Sequence, residues 1–240
     1  MNIKRYFYSF WQKIIEMNYG IQTNDSKVFM FHQVTDDKNA WRDENCAITL
    51  TGFENFLERI KRQNVEIASI ERLEENIRKK RIYITFDDVY EDAVCNAFPI
   101  LIKEGIPFCI FVSTELIGQS EYITKEQLQM LAKEPLCTIG FHSRSHALLR
   151  ILSKEESKKE MDKQPLEAII EKKIEYFAYP YGSYYAVARK DIKLINSETY
   201  KMAFSTIKIS VNTKVLHDFR GLFQELISMK KIMKNIFKGY

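Results

Sequence analysis

The residues of this chain best suited to chemistry are two acids and two histidines. The run Ile82-Tyr-Ile-Thr-Phe-Asp-Asp88 is apolar until it ends in adjacent carboxylates, and His142-Ser-Arg-Ser-His146 follows a second apolar stretch. Such runs read as buried strands, and α/β enzymes carry their chemistry just past the carboxyl ends of those strands. Adjacent carboxylates repel unless a cation sits beside them, although either acid could instead cap the helix that follows. Successive residues leaving a strand point in different directions, so one acid can bind a metal while its neighbour faces a bound water. Histidines four apart, on one side of a helical turn or at the ends of a tight loop, can both reach one ion. The metalloprotease pattern His-Glu-x-x-His places its base beside the first histidine. Ser143 stands there instead, so the base has to come from the acid pair. One carboxylate and two imidazoles on a metal, with a second carboxylate free, is a set for hydrolysis. His32, at the end of the first apolar run, is either a polar group at the mouth or a satisfied core histidine.

The elements that must position these groups alternate along the chain. Apolar runs at Val28–His32, Val65–Ala68, Ile82–Phe86, Pro107–Val112, Leu136–Phe141, Ile174–Ala178 and Lys201–Thr206 read as strands. A polar loop spans Thr35–Asn45. Thr51-Gly-Phe-Glu54, Thr124-Lys-Glu-Gln127 and Ser153-Lys-Glu-Glu156 match the capping box and predict helix starts. A charged helix is predicted over Ile70–Lys79, one to about Glu104 that Pro99 interrupts, one broken near Pro165, and one over Ala186–Ile195. About seven strand–helix alternations predict a parallel sheet with helices outside it, closed or nearly closed into a barrel. No Gly-x-Gly-x-x-Gly nucleotide loop is present.

Bulk properties narrow the class. The 240 residues fit one large α/β domain, and the net charge of +4 is too small for a nucleic-acid binder. The four cysteines show no Cys-x-x-Cys spacing, and Cys109 lies inside an apolar run, as a buried free thiol would. Residues 1–26 read as an amphipathic helix and turn without the features of a signal peptide, and no run is long enough to span a bilayer. A soluble, cytoplasmic protein is expected. The basic, amphipathic residues 226–240 read as a helix closing the barrel bottom, or as a peripheral contact with an anionic membrane.

Thr85-Phe-Asp-Asp88, His142-Ser-Arg-Ser-His146 and Phe177-Ala-Tyr-Pro-Tyr-Gly182 occur in the order and approximate spacing of a known family. The chain resembles the polysaccharide deacetylases, carbohydrate esterase family four, in the branch associated with capsule and exopolysaccharide. The likeness covers residues 27–225 and implies an α/β fold, a distorted (β/α)7 barrel in a single domain. It implies removal of an acetyl group from an N-acetylhexosamine-containing glycan. Carried across, Asp88, His142 and His146 hold a divalent metal, zinc by preference since imidazole suits it, and Asp87 is the general base. Pro180 and Tyr181 face the substrate, with the Tyr181 backbone N–H a donor to the oxyanion. His217, in Val215-Leu-His217, takes the place of the general acid, its alternative being a surface histidine before Asp218. The chain departs from the pattern at Val89, where glycine is usual, and at Ala178, where an arginine is common. It lacks a downstream tryptophan, since Trp11 and Trp41 both lie upstream. Two other readings compete: a two-histidine, one-carboxylate iron oxygenase, and a non-catalytic glycan-binding or scaffold member of the same fold.

Overall fold

A computed structural model describes residues 26–42, 46–73, 75, 80–197 and 200–206. Six strands form a parallel sheet in the order β1 (Lys27–Phe31), β5 (Arg81–Asp87), β6 (Phe108–Val112), β7 (Cys137–Phe141), β8 (Tyr176–Ala178) and β9 (Met202–Phe204). A seventh, β4 (Glu66–Ile67), pairs with the start of β5, while β2 (Gln33–Val34) and β3 (Ala47–Ile48) make a separate parallel pair. The sheet curls into a half-barrel with helices packed against it. Among the described residues β1 and β9 are not paired with each other, so the barrel stays open there.

Strand parity explains both the packing and the placement of the acids. Ile82, Ile84 and Phe86 of β5 and Phe108, Ile110 and Val112 of β6 belong to the core beneath the helices. Their alternates Tyr83, Cys109 and Phe111 belong to a second core with Tyr176, Ala178 and Met202, on the inner face of the curl. With both faces buried, these strands read as continuous apolar runs. Asp87 shares the parity of Tyr83, and His142 follows that of Gly140, so both leave the sheet towards the inner face. The pairs Asp87–Phe111, Val112–Phe141 and Phe141–Phe177 bring these strand ends to one rim.

The outer layer holds α1 (Leu50–Arg62), α2 (Glu91–Lys103), α3 (Lys125–Lys133), α4 (Lys154–Glu160), α5 (Gln164–Ile170) and α6 (Arg189–Ser197). The capping boxes at Thr124 and Ser153 form with both of their hydrogen bonds. The helix expected to open at Thr51 is capped two residues earlier, where the Thr49 hydroxyl accepts from Gly52 N at 3.1 Å. A Cβ on Gly52 would lie 2.9 Å from that hydroxyl, so glycine is what lets the cap approach. Pro99 does not break α2, which runs unbroken through it. Pro99 and Cys95 are both exposed, so the carbonyl that loses its donor faces water rather than the core. The helix expected over Ile70–Lys79 is a single 3-10 turn at Ile70–Arg72, and residues 74 and 76–79 lie outside the described residues. The break near Pro165 separates α4 from α5, with the proline in the first turn of α5. The last expected helix starts at Arg189 rather than Ala186, because residues 184–187 form a loop.

The expected helices at residues 1–26 and 226–240 lie outside the described residues. Among those described, no helix is long and apolar enough to cross a membrane. Cys95, Cys109 and Cys137 are free thiols, and burial pushes the Cys109 and Cys137 thiols up, which keeps them inert.

Packing is tightest beside the site at Gly140, where an added Cβ would lie 2.4 Å from the Phe111 ring and 3.2 Å from Tyr176 O. Gly140→Ala is therefore expected to cost about 2 kcal/mol of stability, since a packed core cannot yield that much without strain. Urea unfolding of the two proteins measures it; an unchanged midpoint would mean that the sheet gives way freely here.

Candidate active site

The acids sit on a turn that the backbone resists. Asp87 closes β5 and is 7% exposed. Its carbonyl accepts from Val89 N at 2.7 Å, which turns the chain sharply. Asp88 and Val89 both lie in the left-handed region, at φ 63° and 55°. That region is costly for a β-branched residue, by about 1–2 kcal/mol. Val89 is fully buried in the core beneath the helices. Burying its side chain contributes roughly 1.5–3 kcal/mol, enough to offset the strain. The turn directs Asp88 away from its neighbour and towards the two histidines.

The histidines lie on a loop, not a helix. His142 is 1% exposed, and its Nδ1 lies 2.9 Å from the Ala178 carbonyl oxygen. A carbonyl only accepts, so Nδ1 carries the proton and Nε2 keeps its lone pair. Beyond it the chain turns through Ser143 at φ 66°, whose hydroxyl accepts from His146 N at 3.0 Å. Ser145 donates from its backbone N and its hydroxyl to the two Glu160 carboxylate oxygens, at 2.9 and 2.8 Å. These bonds bring Asp88 Oδ1 to 3.6 Å from His142 Nε2 and 3.3 Å from His146 Nε2. Asp87 Oδ2 lies 4.0 Å from His142 Nε2.

The electrostatics fit a cation. Burial above all, opposed by the Asp88 charge, lowers the His142 pKa to about 4, so the ring is neutral and does not pair with Asp88 as an ion. Asp88 Oδ1 is buried and has no hydrogen-bond partner among the described residues. A buried carboxylate oxygen facing an unprotonated imidazole nitrogen is costly unless a positive ion lies between them. One ligand atom from each of Asp88, His142 and His146 falls within 4.8 Å of the others, the number of protein ligands that catalytic zinc sites use. Beside it, burial and then the Asp88 charge push the Asp87 carboxyl well above the usual carboxylate range.

The other expected residues are placed unevenly. His32, partly buried between β1 and β2, lies near enough for its charge to lower the His142 pKa, so it belongs to this end of the sheet. Pro180 is buried. Tyr181 is 58% exposed at φ 60°, with its ring edge-on to His146 at 4.7 Å between centroids. Among the described residues nothing accepts from its backbone N–H. His217 lies outside the described residues. Sequence reasoning missed Glu160 and the Ala178 carbonyl; neither is near its partner in sequence, and no local pattern marks them.

The His142 environment has a measurable consequence for the metal-free protein. The unfolded chain takes up a proton near pH 6.5 that the folded chain refuses until about pH 4, so stability is lost as pH falls through that window. The loss is on the order of 3 kcal/mol. Asp87 acts in the opposite sense, because its raised pKa makes stability fall as pH rises above the ordinary carboxylate value. Urea midpoints of wild type and His142→Gln across the window separate the two. Wild type should gain on the variant as pH rises, and parallel curves would refute the burial argument.

Comparison with known proteins agrees with this architecture. The model of the polysaccharide deacetylase family matches residues 74–200, just over half of the chain. The chain belongs to that family. Polysaccharide deacetylases among its relatives include the poly-β-1,6-N-acetyl-D-glucosamine N-deacetylase of Staphylococcus aureus (strain MSSA476). It is 25% identical over 161 residues, covering 58% of this chain and 55% of that protein. YxkH of Bacillus subtilis (strain 168) is 28% identical over 130 residues, covering 53% of this chain and 45% of its own. The chain thus spans about half the length of the curated relatives it matches. Among solved structures, the Streptococcus pyogenes deacetylase PplD, in complex with acetate, superposes with a TM-score of 0.66 at 21% identity, covering 78% of this chain and 93% of that one. IcaB from Ammonifex degensii gives 0.67 at 20% identity, covering 80% and 90%. These two likenesses are of fold.

Proposed function

We propose that this polysaccharide deacetylase is a metal-dependent hydrolase that removes acetyl groups from an N-acetylated glycan, of the kind made for exopolysaccharide or capsule. The carrying observation is the unpartnered Asp88 Oδ1, buried against Nε2 of His142 and His146. Asp88, His142 and His146 would hold the metal, and two imidazoles with one carboxylate favour zinc. When bound, a zinc ion supplies Lewis acidity, lowering the pKa of water from 15.7 towards about 7 and polarising an acyl carbonyl.

The remaining steps belong to the protein. Asp87 takes the proton from the attacking water, and its burial beside Asp88 raises its proton affinity for that step. The Ala178 carbonyl fixes His142 with Nε2 towards Asp88, and Glu160 and Ser143 hold the loop that carries His146. The Tyr181 backbone N–H donates to the oxygen that becomes negative as water adds to the acetyl carbon. Tyr181 and His32 face the sugar, and the buried Pro180 stiffens the backbone that leads into Tyr181. His217 gives a proton to the departing amine, with residues 27–225 forming the catalytic unit. Acetate release from N-acetylglucosamine oligomers tests the reading. Release should stop on chelation and return with zinc; glycan binding without acetate release under any metal would favour a non-catalytic role.

A further inference from the structure

A side chain just past the histidine loop gathers the segment after Tyr181. Arg150, four residues past His146, donates from Nε to Tyr185 O at 2.6 Å and from Nη2 to Tyr184 O at 2.7 Å and to Val187 O. Its backbone N donates to Ala186 O at 3.1 Å, and its guanidinium lies 5.9 Å from the centre of the Tyr184 ring. Four consecutive carbonyls therefore point at one residue, in a stretch without helix or strand to satisfy them. A second tie runs beside the first: Lys190 Nζ donates to Leu149 O at 2.7 Å and to Asp191 Oδ1 at 2.6 Å. At the other end of both loops, the Tyr181 ring rests on His146.

We propose that Arg150 is a positioning residue that sets the Tyr181 backbone against His146, and so aims the Tyr181 N–H at the reacting acyl group. The inference rests on the deacetylase reading of the site. The hydrogen bonds of Arg150 reach the 184–187 segment, whereas Asp87 and His142 are placed by the ends of β5 and β7 and by the Ala178 carbonyl of β8. The clamp therefore governs where the oxyanion donor stands without governing the metal. Only a planar fork of donors can hold several carbonyls at once; a lysine offers a point charge and holds fewer.

The test uses zinc-loaded wild type, Arg150→Ala and Arg150→Lys. A donor used in the transition state lowers kcat rather than raising KM when displaced, and Arg150→Ala is expected to lower kcat by about 10- to 100-fold. Arg150→Lys should fall between the two, and zinc affinity and KM should not change. The ring contact gives a readout independent of turnover: in Arg150→Ala the proton resonances of the His146 ring should lose the ring-current shift from Tyr181, while those of His142 stay in place. Unchanged kcat with unmoved His146 resonances would overturn the proposal. So would a fall in zinc affinity with both histidines shifting, since that marks general loosening. If wild type released no acetate, the deacetylase reading would fall, and the His146 resonances alone would still decide whether the clamp exists.

Discussion

Replacing Asp87 by Asn is expected to lower acetate release by about 10²–10⁴-fold, the usual worth of a positioned general base, while zinc remains bound. The side chain keeps its shape and its place on the inner face of β5, so neither the turn at Asp88–Val89 nor the Asp88–His142–His146 set loses a partner. What is removed is an acceptor whose proton affinity is raised by burial and by the charge of Asp88. The loss should appear in kcat, because the proton moves only as the water attacks. Initial rates on N-acetylglucosamine oligomers, with zinc content measured on the same samples, check both halves. Full turnover in Asp87→Asn would assign the base elsewhere.

The second large effect is expected at His142. Removing this ring in His142→Ala takes away a proposed metal ligand and leaves the Ala178 carbonyl without its imidazole partner in the inner core. Zinc affinity should fall by more than the roughly 10–100-fold that loss of an outer hydrogen-bond partner costs, and acetate release should fall to background. Glu160→Gln is the matched control, since the Glu160 carboxylate supports the histidine loop through Ser145 and Arg144 and lies against neither acid of the site. Its loss should weaken zinc without abolishing it. Titration of each metal-free protein with zinc reads both; equal affinity in wild type and His142→Ala would remove His142 from the site.

How far the sequence reaches can be judged element by element. Strands β5 and β7 were legible because nearly all of their residues are buried, so each run is mostly apolar and the change to Asp or His at its end is abrupt. The acid pair and the histidine pair were legible for the same reason. The boxes at Thr124 and Ser153 are local and formed as expected, whereas two threonines two residues apart left the start of α1 ambiguous. Pro99 was misjudged because its cost depends on whether the orphaned carbonyl faces water, which is a tertiary fact. Val89 stands where glycine is usual, and its burial beneath the helices is what offsets its left-handed backbone, a tertiary fact again. Glu160, Arg150 and the Ala178 carbonyl act on partners 15, 34–37 and 36 residues away. No spacing rule connects such pairs, so the candidate ligands were readable and the groups that aim them were not.

The division of labour between the adjacent acids is the core of the account, and anomalous diffraction at the zinc edge from crystals of the zinc-loaded protein tests it most directly. The peak should lie about 2.0–2.2 Å from a carboxylate oxygen of Asp88 and from Nε2 of His142 and His146, with both Asp87 oxygens outside bonding distance. A peak bonded to Asp87, or one seated away from the two histidines, would contradict it.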